Sequence, residues 1–115
     1  MSLERVFKSL TSLGLSRKEA EIYVYLATMG PREAGNIAEN LRLDKQQMDS
    51  NLKNLQNRKI VIPTLTHATK FSALPFKETM TLLMKAKREE TLYLEQNKEE
   101  ILSEWHSMVR GNSPA

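Results

Sequence analysis

Between Asp44 and Arg58 the chain sets Lys45, Gln46, Gln47, Ser50, Lys53 and Arg58 in one stretch, and Lys70 follows a little downstream. Glutamine amides can hold adenine bidentately, and a serine hydroxyl suits either kind of base edge. Lysine and arginine suit phosphate oxygens, which position a protein on a duplex without reporting its sequence. The chemistry expected of this set is recognition of double-stranded DNA. Gln46, Gln47 and Ser50 are the candidates for base edges, and Lys45, Lys53, Arg58 and Lys70 for phosphates.

Catalysis finds no comparable set. His67 and His106 are the only histidines, and their separation matches no metal-ligand spacing. The sequence has no glycine-rich phosphate loop and no nucleophile elbow. Glu89-Glu90 and Glu99-Glu100 stand among Lys85, Lys87, Arg88 and Lys98, a pattern read as i,i+4 surface pairing. The expectation is a protein that is not an enzyme and carries no metal and no cofactor.

Composition narrows the setting. With 115 residues, 40% hydrophobic and 27% charged, the chain can build one modest core. It has no cysteine, which removes disulfides and thiolate zinc sites and fits a reducing cytoplasm. No apolar run approaches membrane-span length, so no membrane partner is expected. The net charge of +3 is unevenly spread: residues 1–77 hold 12 Lys/Arg against 7 Asp/Glu, and residues 78–115 hold 5 against 7. A basic front and a mildly acidic back suit a nucleic-acid-facing module with a separate tail.

Those side chains need elements to position them. Leu3, Val6, Phe7, Leu10 and Leu13 recur at helical spacing, and Gly14 can close that helix at positive φ. Ser16-Arg17-Lys18-Glu19 has the form of a capping box opening a second helix, which is expected to bury Ala20, Tyr23, Leu26 and Ala27 and to stop at Gly30-Pro31. A third helix turns Ile37, Ala38 and Leu41 inward, with Leu43 bridging the turn. Asp44 is a good N-cap for a fourth, which buries Met48, Leu52 and Leu55. Ile60-Val61-Ile62 and Phe71, Ala73, Leu74 then read as two strands closed around His67-Ala68. Pro63 cannot donate to a ladder, so its strand is expected at an edge or a bulge.

Pro75 suits the first turn of a further helix, and no breaker follows until Gly111. One helix from about 75 to 108 is expected, too long to bury itself on a small domain. Phe76, Met80, Leu83, Leu94, Ile101 and Met108 lie on an approximate heptad seam, with Trp105 beside it and Lys87, Glu90 and Asn97 interrupting it. Pairing with a second copy follows as the expectation, with Met80, Leu83, Leu94, Ile101, Trp105 and Met108 at the dimer interface; the alternative is a helix folded back on its own domain.

The order helix, turn, helix, hairpin is that of a winged helix-turn-helix, whose second helix is normally aimed at the major groove. The fold class expected is therefore mainly α: a winged helix-turn-helix domain over 1–74 with a short β-hairpin wing, a long C-terminal coiled-coil helix over 75–110, and a disordered tail at 111–115.

The run from Leu15 to Leu26 (LSRKEAEIYVYL) resembles the opening helix of the TrmB-like transcriptional regulators. So does Ile37-Ala38-Glu39-Asn40-Leu41 followed by Met48, Leu52, Leu55 and Ile60-Val61. Lys70-Phe71-Ser72-Ala73-Leu74-Pro75 looks like that family's second wing strand running into its linker helix. The similarity covers about residues 10–108. It implies a homodimeric winged-helix domain that binds double-stranded DNA and is joined through a coiled-coil helix. Many relatives append a sugar-binding domain after the linker helix; no effector site is carried onto these residues, and the small-molecule effector is left unknown.

This chain departs from such relatives at several positions. Ser50 stands where an arginine is frequent, Asp49 where an aromatic or small residue is common, and Arg42 and Lys59 where glycine is often found. The helix 44–57 and Arg58 together carry a net of only +1, and the wing tip His67-Ala68 is short and weakly charged. These features motivate the alternative expectation, a winged-helix protein-interaction module with weak or no DNA binding.

Overall fold

The computed structural model describes residues 3–65 and 68–111. The expected wing-tip residue His67 and residues 112–115 of the expected tail lie outside these, while Gly111, expected as the first residue of the tail, is helical. The chain divides into two compact units, Met1–Met84 and Lys85–Ala115.

In the first unit, helix ends are fixed by the residue types at them. Helix α1 (Leu3–Ser12) closes with Leu15 N–H on Leu10 O at 3.2 Å and Gly14 N–H on Thr11 O at 3.1 Å. This is the Schellman pattern, and Gly14 supplies the φ of 108° that it requires. Leu10 and Leu15 meet in the core, so the turn is stapled by apolar burial as well. Helix α2 (Arg17–Met29) opens on the Ser16–Glu19 capping box, with Glu19 N–H on Ser16 Oγ at 3.1 Å and Ser16 N–H on Glu19 Oε1 at 2.7 Å. Arg17 reaches back to Glu4 through bonds of 3.1 and 3.3 Å and lies 4.1 Å over the Phe7 ring. Its hydrogen bond and positive charge hold the Glu4 carboxyl below the usual carboxylate range.

Helix α2 is packed by its neighbours α1, α3 (Ala34–Leu41) and α4 (Lys45–Asn57) and by strand β2 (Lys70–Ala73). Its inward face is therefore centred on Ile22, Tyr23 and Leu26, and Ala27, expected inside, is exposed. Met48, Leu52 and Leu55 of α4 enter the same core as Ile37, Leu43, Ile60 and Val61. Helix α4 ends as α1 does: Ile60 N–H binds Leu55 O at 3.2 Å and Lys59 N–H binds Gln56 O at 2.9 Å. Here the left-handed position is Lys59, at φ 65°; Arg42, at φ 56°, plays the same part after α3.

Strand β1 (Val61–Thr64) pairs antiparallel with β2, placing Pro63 opposite Phe71. On the other edge of β2, Phe71 N–H binds Arg32 O at 2.8 Å and Arg32 N–H binds Phe71 O at 3.2 Å. Both backbone groups of Phe71 thus point away from Pro63, so the missing proline donor falls at a non-hydrogen-bonded pair on the outer strand, where it costs no ladder bond. Helix α5 (Phe76–Gln96) is anchored to this unit by its first turns. Tyr23 Oη donates to Leu74 O at 2.5 Å, Thr79 Oγ1 reaches the same carbonyl at 3.3 Å, and Leu83 is buried in the core. Burying Leu83 stabilises this attachment by about 2 kcal/mol.

The second unit is helical. Where one helix to about 108 is expected, a single-residue break at Asn97 separates α5 from α6 (Lys98–Gly111). Asn97 donates its side-chain amide to Tyr93 O at 2.8 Å alongside its own N–H at 3.0 Å, and Ile101 N–H still reaches Asn97 O at 2.9 Å, so helical bonding continues across the break. The charges of this unit are exposed, and Glu89, Glu90, Glu99 and Glu100 form no ion pair within 4.0 Å, so the expected i,i+4 pairing is not made among the described residues. Extended side chains separated by water gain little from one another at such sites.

Candidate nucleic-acid interface

Helix α4 is held by its inner face and its two ends. Asp44 Oδ1 accepts from Gln47 N–H at 2.7 Å, and Asp44 N–H donates to Gln47 Oε1 at 3.1 Å. This second capping box has the same spacing as Ser16–Glu19, and the sequence Asp44-Lys45-Gln46-Gln47 carries its signature. At the far end Arg58 Nη2 donates to Gly14 O at 3.0 Å, latching the helix terminus to the α1–α2 turn. A Cβ at Gly14 would meet that guanidinium at an ordinary van der Waals distance of 3.5 Å, so glycine is required here by its positive φ and not by the latch.

With the inner face in the core, Lys45, Gln46, Asp49, Ser50 and Lys53 share one open face and line a shallow depression of about 630 Å³. Four of the seven residues expected to contact DNA are therefore brought together: Lys45, Gln46, Ser50 and Lys53. Asp49 lies among them. Gln47 is exposed, but its oxygen is committed to the cap. Arg58 keeps part of its guanidinium free after binding Gly14 O. Lys70 stands exposed at the start of β2, opposite Thr64 in the wing.

Beside Thr64 and Lys70 the wing exposes two large apolar side chains, Ile62 at 48% and Leu65 at 82%. The Gln47 cap and the Arg58 latch are the two features that sequence reasoning leaves out. The first was signalled by the D-x-x-Q spacing; the second joins residues 44 apart and has no local signal.

The residues expected at a dimer seam are divided. Leu83 is buried in the first unit's core and Met80 packs partly buried against it, so both are taken up within the chain. Leu94, Ile101, Trp105 and Met108 are exposed, at 50, 41, 56 and 61%. Leu102 and Val109 extend the apolar surface of α6. Among the described residues, no His, Asp and Glu side chains gather as metal ligands would, and no helix is long and apolar enough to cross a membrane.

The family model described as "Sugar-specific transcriptional regulator TrmB" matches residues 10–77, from the end of α1 to the start of α5. Among solved structures, the chain is similar to the ST1889 protein of the thermoacidophilic archaeon Sulfolobus tokodaii, with a TM-score of 0.64 and 19% identity over 81% of this chain and 99% of that one. It is also similar to a MarR-like transcriptional regulator from Thermotoga maritima, with a TM-score of 0.54 and 18% identity over 100% of this chain and 99% of that one. A mutant of Staphylococcus aureus MepR bound to an oligodeoxyribonucleotide shares the fold at a TM-score of 0.58 and 13% identity, over 96% of this chain and 88% of that one. Comparison with curated proteins finds no match.

Proposed function

The chain belongs to the TrmB family of transcriptional regulators and is a DNA-binding winged helix, and from that premise we propose that it reads specific duplex sites as a cytoplasmic homodimer. The observation that carries this reading is the open face of α4. A doubly capped helix, fixed by Met48, Leu52 and Leu55, turns Lys45, Gln46, Ser50 and Lys53 outward as one surface. In such a unit the N-terminal part of the second helix meets base edges. Gln46 and Ser50 read bases with both of their polar functions free. Gln47 offers only its amide N–H₂, to an acceptor edge, while its oxygen keeps the cap. Lys45, Lys53 and Lys70 take phosphates, and Arg58 does so with the part of its guanidinium that Gly14 leaves free.

Pairing of two copies rests on Leu94, Ile101, Trp105 and Met108, large apolar side chains left half-exposed on the second unit. A two-fold dimer would place its reading helices in successive major grooves, about 34 Å apart. Gel-shift titration against genomic fragments at two salt concentrations tests the whole reading. Affinity should fall steeply with salt, and some fragments should outcompete bulk DNA. Salt-independent binding, or no preferred fragment, overturns it.

A second reading, a winged helix serving as a protein-interaction module with little DNA binding, is favoured by one observation. The Gly14 latch and the Asp44 cap leave Lys45, Lys53 and Asp49 as the free charges of α4. A stoichiometric protein partner, with function indifferent to loss of Lys45 and Lys53, would select it.

A further inference from the structure

We propose that Asp49 is a base-reading residue whose carboxylate accepts a hydrogen bond from the N4 amino group of a cytosine in the major groove. The inference rests on the proposed reading of DNA by α4. Asp49 lies on the same open face as Lys45, Gln46, Ser50 and Lys53, and the five line one depression. It stands one helical turn from Lys45 on one side and from Lys53 on the other, the spacing at which helical ion pairs form. Yet it makes no ion pair within 4.0 Å among the described residues; the pairs that do form belong to Arg17. No cap or side-chain hydrogen bond engages it either, in contrast to Asp44, which is occupied at the N-terminus of the same helix. The helix therefore has no use of its own for this carboxylate.

A free carboxylate can only accept hydrogen bonds. In the major groove the amino groups of cytosine and adenine are the available donors. An aspartate matches cytosine N4, while adenine, with its N7 acceptor beside N6, suits an amide. The two flanking lysines offset only part of the repulsion between Asp49 and the phosphates, and a base donor that meets the acid offsets the rest. Elsewhere its charge disfavours binding, which sharpens discrimination between sites. In a two-fold dimer, the cytosine would recur at symmetric positions of the two half-sites.

The test is selection from a random-sequence duplex pool by the full chain, its Asp49→Ala variant and its Asp49→Asn variant, each first shown to unfold at the wild-type temperature. The wild type should enrich a motif with a cytosine at a symmetric pair of positions. Asp49→Ala should lose about tenfold in discrimination at those positions alone. Asp49→Asn, which introduces an amide able to pair bidentately, should shift the preference there toward adenine. If Asp49→Ala keeps every base of the wild-type motif and merely binds all duplexes more tightly, Asp49 is a repulsive bystander and the assignment is overturned while DNA reading stands. If the wild type enriches no motif, reading by α4 fails and the assignment falls with it.

Discussion

Gln47 is where folding and recognition compete for one side chain, and substituting it separates the two. Its oxygen receives the Asp44 N–H at 3.1 Å, a neutral and exposed hydrogen bond. Gln47→Ala hands that N–H to water, at a cost of about 0.5 kcal/mol, the low end of the net range for such bonds. In a cooperative unit of roughly 80 residues this lowers the melting temperature by about 2–4 °C. Asp44→Ala removes the shorter bond, a charged acceptor 2.7 Å from the Gln47 N–H, and costs about 1–2 kcal/mol. Gln47→Glu keeps an oxygen in place and adds negative charge at the positive end of the helix, favourable by about 0.3–1 kcal/mol before repulsion from Asp44 reduces it. Thermal unfolding followed by circular dichroism should rank Asp44→Ala lowest, then Gln47→Ala, then wild type, with Gln47→Glu equal to wild type or above it. A Gln47→Ala variant as stable as wild type refutes the capping argument. So does a Gln47→Glu variant less stable than Gln47→Ala. On DNA, bidentate pairing with adenine needs both amide atoms, so Gln47→Ala should erase no adenine preference. Losing one would show that the cap opens in the complex.

Other perturbations test the remaining structure. Lys59→Gly should raise the urea midpoint by the equivalent of about 0.5 kcal/mol, because relief of the left-handed strain at φ 65° exceeds the added chain entropy, and Lys59→Val should lower it. Tyr23→Phe should cost about 1 kcal/mol through loss of the bond to Leu74 O. Burial raises the Tyr23 pKa, so its contribution is complete below the ordinary phenol value of about 10 and is lost as pH rises through the higher folded value. Alkaline unfolding of Tyr23→Phe should lack that loss. Replacing Leu94 and Ile101 together by lysine should give monomers in sedimentation velocity with the first unit's melting unchanged, and an unaltered assembly state would remove the case for pairing through this surface.

The inward residues of the first unit were legible because burial leaves a periodic trace. Met48, Leu52 and Leu55 mark α4, Leu10 and Leu15 bracket a glycine turn, and Ser16 to Glu19 announces its helix. Misreadings arise where several neighbours share one element. Helix α2 is surrounded, so the narrow stripe expected through Ala27 is replaced by a broader face through Ile22. Leu83 and Met80 fit a heptad as well as a core, and periodicity cannot say which partner arrives first. The Arg32–Phe71 bridge uses backbone atoms alone and leaves no residue signature, although it explains why Pro63 is tolerated.

Outward residues obey a looser rule, and the charge on α4 shows why. Lys45 and Lys53 oppose Asp49 on the open face, a surplus of one positive charge, while Arg58 and Asp44 serve the fold. If Lys45, Lys53 and Lys70 each neutralise one phosphate, a single module makes three such contacts. A dimer makes six, rising to eight when Arg58 joins, so the logarithm of affinity should fall with that of salt at a slope of roughly −5 to −7. A monomer would show about half that slope and correspondingly weak binding. Tight binding by so lightly charged a helix therefore depends on two modules acting together. On the proposed dimer, the apolar surface carrying Leu94 and Ile101 would be as much a determinant of DNA affinity as any lysine on α4. Breaking the pair should halve the salt slope, whereas removing Lys45 from both copies should reduce it by about two.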